Sequence, residues 1–247
     1  DIDEEKVRRL QQGQLTFVEP GLKELLAEML AERRIRFTAD ARDAVQSSDH
    51  LMIAVGTPSD GSGKADLGYL HRALDTIVAH INGPKIVITK STVTIGTNRR
   101  ISRLLAEAVD PDYTPVDVIS NPEFLREGNA LYDSLYPSRT VIGGENPEAV
   151  EKVKSLYAGL PTTFFLCNYE TAELIKYASN GFLAAKISFI NEIARLADRV
   201  GADVEGVAKG MGMDPRISPH HLRAGIGYGG SCFPKDVNEL LHFAREQ

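Results

Sequence analysis

Several features that would announce a function outright are missing from this sequence. Among 247 residues there are two cysteines, Cys167 and Cys232, far apart and forming no metal-type pair. A reduced, cytoplasmic setting fits them, with Cys232 left free to react. No long basic run occurs and the formal net charge is −6, which argues against nucleic acid as the main partner but leaves room for a local basic pocket. There is no charged-then-apolar leader and no apolar run long enough to span a bilayer, so no membrane role is expected. Internal repeats and low-complexity segments are also missing. The G-x-G-x-x-G turn of a dinucleotide fold is not found near the start. Asp1-Ile2-Asp3 instead runs straight into a helical pattern with no initiator methionine, as expected of a fragment or of a chain lacking its first segment.

What is present is ordinary in bulk. Hydrophobic content of 43% and charged content of 25% suit a globular protein with one large or two modest domains. The acidic start at Asp3-Glu4-Glu5, with Val7 and Leu10 behind it, predicts a first helix. A second is expected from Pro20 to Leu30 with proline in its first turn. Short strands are expected at Ile35–Thr38, His50–Val55, Lys85–Thr89, Val116–Ile119, Arg139–Ile142 and Thr163–Leu166. Helices are expected between them at 40–46, 70–81, 95–109 and 147–157. The alternation implies an α/β fold, a doubly wound parallel (Rossmann-like) sheet with helices on both faces. Ligands of such sheets lie beyond the carboxyl ends of the strands. Three strands end there in small polar clusters: Gly56-Thr57-Pro58-Ser59, Ser91-Thr92-Val93 and Asn121-Pro122-Glu123. Each could be a plain turn; their shared position favours a common cleft.

From Tyr169 to Gly201 no proline intervenes and apolar residues recur at helical spacing. That predicts one helix of roughly 30 residues, or roughly 45 Å. It is long for one domain, and an inter-domain helix that also packs on a partner subunit would explain it. The expected division is 1–167 for the sheet domain and 168–247 for the long helix and a small helical region. Residues 203–210 make a further short helix, and 212–219 a loop.

The most informative stretch is Gly225-Ile226-Gly227-Tyr228-Gly229-Gly230-Ser231-Cys232-Phe233-Pro234-Lys235-Asp236. Four glycines ahead of a cysteine suggest a loop that wraps a ligand and presents a nucleophile. The charge of Lys235 would favour the reactive thiolate. An inert cysteine in a surface loop is the plainer reading, and the spacing of Cys, Lys and Asp tips the balance away from it. Elsewhere, Glu123 and Glu127 are four apart, so a helical turn would place them on one face. Lys176 and Asn180 share a face of the long helix in the same way. His220-His221 has no further ligand at metal spacing, so no metal is expected.

Gly-Tyr-Gly-Gly-Ser-Cys-Phe-Pro-Lys-Asp resembles the catalytic cysteine loop of the UDP-glucose/GDP-mannose dehydrogenases, and the resemblance extends along the chain. It lacks that family's opening strand and phosphate loop, and its C-terminal nucleotide-binding domain. The resemblance implies NAD as cofactor and a four-electron oxidation of a nucleotide-sugar C6 hydroxyl to a carboxylate, as in polysaccharide precursor synthesis. It implies Cys232 as nucleophile, Lys176 and Asn180 as alkoxide-stabilising groups, and Asp236, Glu123 and Thr92 as groups that position and activate water. Asp1, Lys6, Thr57, Pro58, Ser91, Thr92, Glu127 and Lys235 fall on the cofactor side. Glu123, Phe124, Leu125, Lys176, Asn180, Arg216, Arg223, Gly227, Tyr228 and Gly229 fall along the substrate, with Arg216 reaching toward a partner subunit's substrate in a homodimer. Asn121–Gly128 and Leu135-Tyr136-Pro137-Ser138-Arg139 look most like UDP-glucose 6-dehydrogenases. GDP-mannose and UDP-N-acetylhexosamine dehydrogenases share most of these motifs, so UDP-glucose is the favoured substrate among three. A binding and dimerisation module without activity is the rival of another class. Hydroxyacid or phosphogluconate-type dehydrogenases share the fold but need no nucleophilic cysteine.

Overall fold

A computed structural model describes all 247 residues. The chain divides into two compact units: Asp1–Thr57 with Leu67–Glu173, and Pro58–Asp66 with Leu174–Gln247.

The first unit is built on a five-stranded sheet in the order β1 (His50–Ile53), β2 (Lys85–Thr89), β3 (Val116–Ser120), β4 (Thr140–Gly143), β5 (Phe164–Cys167). The helices are α1 (Glu4–Gln11), α2 (Leu22–Ala31), α3 (Ala41–Gln46), α4 (Gly68–His80), α5 (Thr97–Ala108), α6 (Ala130–Leu135) and α7 (Pro147–Ser155). Side chains on successive strand residues point to opposite faces. Val87 and Val118 pack with Leu70, Leu74, Ile77, Ile101 and Leu105 of α4 and α5. Ile86, Ile88 and Ile119 pack with Ala149, Val150 and Val153 of α7. The sheet is therefore covered on both faces, and β2 is buried at every position, as its apolar centre Ile86-Val87-Ile88 requires.

The ladder is parallel except between β3 and β4, which are antiparallel with Ser120 opposite Gly143. The expected parallel, Rossmann-like sheet is present, with this one antiparallel pair as its exception. A parallel return needs a crossover of a dozen or more residues, usually a helix laid across the sheet. Between β3 and β4 the only helix is α6, six residues long. Ile35–Thr38 is likewise not a strand. No neighbouring chain offers it a ladder: the Phe37 carbonyl accepts from the Gln11 amide at 3.0 Å and the Thr38 carbonyl from the Asp1 amino group at 3.1 Å. Pro20 lies ahead of α2 rather than inside it; Gly21, with φ of 78°, opens the helix.

The long helix α8 spans Tyr169–Val200, 32 residues. Its first turns belong to the first unit and the remainder to the second, with α9 (Val204–Gly212) and α10 (Phe233–Glu246). Gly181 inside α8 has a packing reason: a Cβ there would lie 3.3 Å from the Leu240 Cδ2 of α10. The segment 58–66 folds back through a Ser59–Ala65 bridge and joins α10, where the buried Glu239 carboxylate accepts the Ala65 N–H at 2.6 Å.

Candidate active site

In the second unit, Cys232 is the N-cap residue of α10 and is exposed to solvent. Pro234 is the second residue of that helix, in the first turn, where a missing N–H costs nothing. The Cys232 carbonyl accepts the Asp236 N–H at 2.9 Å, and the Ser231 hydroxyl lies 3.6 Å from the sulfur. One turn into α10, the Asp236 side chain is 1% exposed. Its Oδ2 accepts from Asn180 Nδ2 at 2.6 Å and its Oδ1 from Lys235 Nζ at 2.5 Å. Burying a carboxylate is costly unless donors replace its water, and these two supply that replacement. Lys176 is 3% exposed and stands one turn before Asn180 on α8. The structure thus gathers Asn180, Lys235 and Asp236 into one bonded cluster at the start of the helix that Cys232 caps. Lys235 differs from the sequence expectation in one respect: its ammonium is engaged by Asp236, its neighbour in sequence.

The glycine-rich loop ahead of Cys232 is open. The Gly225 N–H donates to Asn191 Oδ1 at 2.9 Å, and Gly227 and Gly230 have φ of 110° and 82°, conformations that side chains with a Cβ rarely adopt. Gly227, Gly229 and Arg223 are exposed, and Tyr228 is 37% exposed. The Arg216 side chain points outward, 88% exposed, with its guanidinium on Asp214 at 2.6 Å.

In the first unit, the expected strand-end groups do meet. Thr57 Oγ1 donates to the Thr92 carbonyl at 2.8 Å, and Ser91 Oγ to the Val55 carbonyl at 2.7 Å. They tie together the carboxyl ends of β1 and β2. Pro58, next in sequence, opens the segment that joins α10 in the other unit. The Glu123–Glu127 expectation is corrected: residues 121–129 contain no helix, so the two acids do not share a helical face. Pro122 removes a donor and biases Asn121 toward extended backbone. Instead the Glu123 carboxylate accepts the N–H of Leu125 at 2.6 Å, while Glu127 is exposed just before Gly128. Beneath this segment Asn121 is fully buried. It donates to the Val141 carbonyl at 2.8 Å and accepts from Lys90 at 3.2 Å and from the Tyr157 hydroxyl.

Asp1 and Lys6 are paired at 2.6 Å and both remain accessible. An exposed carboxylate beside an ammonium offers the acceptor and donor that ribose hydroxyls need. A side chain added at Gly56, between the two tied strand ends, would meet nothing within 4 Å, so backbone there is open to close approach. The residues present thus fit the ribose and strand-end parts of a bound dinucleotide.

Sequence reasoning missed Glu173. It is buried on α8, and its carboxylate accepts from the Gly96 N–H at 2.5 Å and from Asn98 N and Nδ2, both at 2.8 Å. Gly96 caps α5 without a side chain of its own, so Glu173 satisfies the orphan N–H groups from another helix. Burial pushes its pKa up, against those hydrogen bonds. A glutamate on a helix face otherwise made of residues such as Ala172 and Tyr177 was the only signal in the sequence.

Residues 1–161 match the NAD binding domain of the UDP-glucose/GDP-mannose dehydrogenase family, and residues 170–247 match its central domain. The chain belongs to that family. It is 46% identical over 245 residues to the UDP-glucose 6-dehydrogenase TuaD of Bacillus subtilis (strain 168), a match covering 99% of this chain and 53% of that protein. The structure of a UDP-glucose dehydrogenase from the hyperthermophilic archaeon Pyrobaculum islandicum superposes with a TM-score of 0.95 at 40% identity, over 100% of this chain and 57% of that one. A UDP-D-ManNAc dehydrogenase from Pyrococcus horikoshii follows with a TM-score of 0.89 at 31% identity, covering 100% and 58%. The chain spans about half the length of the relatives it matches. Within this dehydrogenase family the first matched domain is described by its NAD binding, in keeping with the Rossmann-like sheet and the open strand ends. No helix is long and apolar enough to cross a membrane, and no cluster of His, Cys, Asp or Glu could hold a metal ion.

Proposed function

We propose that this chain carries the cofactor-binding and nucleophile-bearing parts of an enzyme that oxidises the C6 hydroxyl of UDP-glucose to the carboxylate of UDP-glucuronate. The observation that carries the reading is the exposed Cys232 at the head of α10, with Asp236 one turn on and held by Asn180 and Lys235. The overall change is a four-electron oxidation with one water consumed, and NAD⁺, when bound, supplies the hydride acceptor at each of its two stages.

The chain's own residues handle oxygen, proton and sulfur. Lys176 and Asn180, with a bound water, donate to the C6 oxygen and stabilise it as its proton passes to that water and on to solvent in the first oxidation. The Cys232 sulfur then bonds to the aldehyde carbon, and the carbonyl oxygen takes up a proton, giving a thiohemiacetal. Oxidation of that adduct leaves a thioester. Water adds to its carbonyl, the C–S bond breaks, and the thiolate departs from the carboxylate. We assign Asp236, Glu123 and Thr92 to positioning and activating that water, its proton passing to a carboxylate. Asp1, Lys6, Thr57, Pro58, Ser91, Thr92, Glu127 and Lys235 serve the cofactor. Phe124, Leu125, Arg216, Arg223, Gly227, Tyr228 and Gly229 serve the nucleotide sugar. A reducing compartment suits a free thiol in this role.

The test is Cys232→Ser in the full-length protein, for which no net acid formation is expected; full activity would sink the thioester route. Lys176→Ala should slow the first oxidation more than it weakens substrate binding, and a pure KM effect would contradict the alkoxide role. A nucleotide-sugar panel read at two NADH per substrate decides between UDP-glucose, GDP-mannose and UDP-N-acetylhexosamines.

The reading includes a homodimer through α8. Leu174, Phe182, Phe189, Leu196 and Val200 are exposed along that helix at intervals of four, seven or eight residues. Such a stripe is one face of an α-helix, and exposed contiguous apolar surface seeks a partner. Phe189→Asp should shift the full-length protein to monomer in light scattering; an unchanged mass would place the interface elsewhere.

A further inference from the structure

The run Leu135-Tyr136-Pro137-Ser138-Arg139 has no part in the chemistry above. Arg139 directly precedes β4, which lies antiparallel to β3 with Ser120 opposite Gly143. Phe124 follows Ser120 by four residues and Arg139 precedes Gly143 by four. The two side chains meet, with the guanidinium carbon 3.9 Å from the centre of the Phe124 ring. A planar guanidinium stacks on an aromatic face as an ammonium cannot. The backbone ladder stops at Ser120, and Pro122 has no N–H to extend it. Side chains take over: the Asn121 amide holds the Val141 carbonyl at 2.8 Å, and Arg139 covers Phe124. Arg139 is itself partly buried, and desolvation lowers its pKa, so it is part of the packing rather than a solvated surface charge.

We infer that Arg139 is a positioning residue: stacked on Phe124, it holds the Glu123-Phe124-Leu125 segment in the conformation that meets the nucleotide sugar. The inference rests on the assignment of that segment to the substrate made above. Arg139 touches neither sugar nor nucleotide in this account; it acts through the ring of Phe124. A lysine in its place keeps the charge and loses the plane.

The experiment uses the full-length protein with UDP-glucose as the probe, comparing Arg139→Lys, Phe124→Ala and the double variant for KM, kcat and melting temperature. Arg139→Lys should raise KM about tenfold with kcat within about twofold, the range that one desolvated cation–π contact allows. The double variant should add nothing to Phe124→Ala alone, because both remove one interaction. If Phe124→Ala raises KM and Arg139→Lys does not, the positioning role is wrong while the substrate assignment stands. If neither Phe124→Ala nor Leu125→Ala moves KM, the substrate assignment fails and the inference fails with it. A lowered melting temperature with unchanged KM would make Arg139 a purely structural residue and overturn the proposal.

Discussion

The Asn180 amide donates to the Asp236 carboxylate at 2.6 Å, linking the middle of α8 to the first turn of α10 with both side chains buried. The two residues are 56 positions apart in sequence. Asn180 has a double task in the proposed chemistry, since the same amide that steadies Asp236 stands one turn from Lys176. Asn180→Ala should cost about 1–3 kcal/mol of stability, because a buried acceptor loses a donor, and should lower turnover as well. Thermal unfolding beside steady-state kinetics checks both, and a variant with wild-type stability would show the bond to be dispensable.

The two thiols should differ sharply in reactivity. Burial pushes the Cys167 thiol up to about 11, so at pH 8 roughly one molecule in a thousand carries the thiolate there. Cys232 is exposed at the head of α10. Iodoacetamide at pH 8, followed by peptide mass spectrometry, should label Cys232 at least about tenfold faster than Cys167. Equal labelling would contradict the effect of partial burial on Cys167.

Glu173 should leave a signature in the pH dependence of stability. Its folded-state pKa is raised above the ordinary 4.5 by burial. The folded protein therefore holds this proton more tightly than the unfolded chain does. Stability attributable to Glu173 is greatest below the ordinary glutamate value and is lost as pH rises through the raised folded value. Glu173→Gln removes the titration, so its melting temperature should fall less than the wild type's between pH 4 and pH 8. Parallel curves would show that Glu173 does not titrate differently in the folded state.

Gly143 sits where β4 meets Ser120, and a Cβ there would lie 2.6 Å from the Ala172 Cβ and 2.7 Å from the Asn168 carbonyl oxygen. Neither neighbour is the far end of a flexible side chain. Gly143→Ala should therefore destabilise by at least about 1–3 kcal/mol, the usual range for overpacking. Chemical denaturation gives the value, and a change below about 0.5 kcal/mol would mean that the start of α8 yields easily.

Where the sequence was legible, local physics was sufficient. The helical period from Tyr169 to Gly201 became α8, Tyr169–Val200, almost to the residue, since nothing within it breaks the pattern. The apolar run Lys85–Thr89 became the fully buried β2. The errors fall where structure depends on a distant neighbour. Ile35–Thr38 has strand composition but no ladder. Glu123 and Glu127 have helical spacing, but Pro122 precedes them and residues 121–129 form a loop that turns at Gly128. The helix α10 was not anticipated, although Pro234 and the spacing of Val237, Leu240, Leu241 and Phe243 were there to suggest it.

The sequence by itself determined the alternation of strand and helix, the long α8, and the residue types that sulfur and proton chemistry require, because each is written in periods and spacings of a few residues. Only the tertiary structure decided that Lys235 and Asn180 share Asp236, that Glu173 caps α5, and that β4 runs antiparallel to β3. Those relations join residues from one position to nearly eighty positions apart through side-chain geometry, burial and backbone direction. Such partners are selected when the chain closes on itself and every buried donor must find an acceptor.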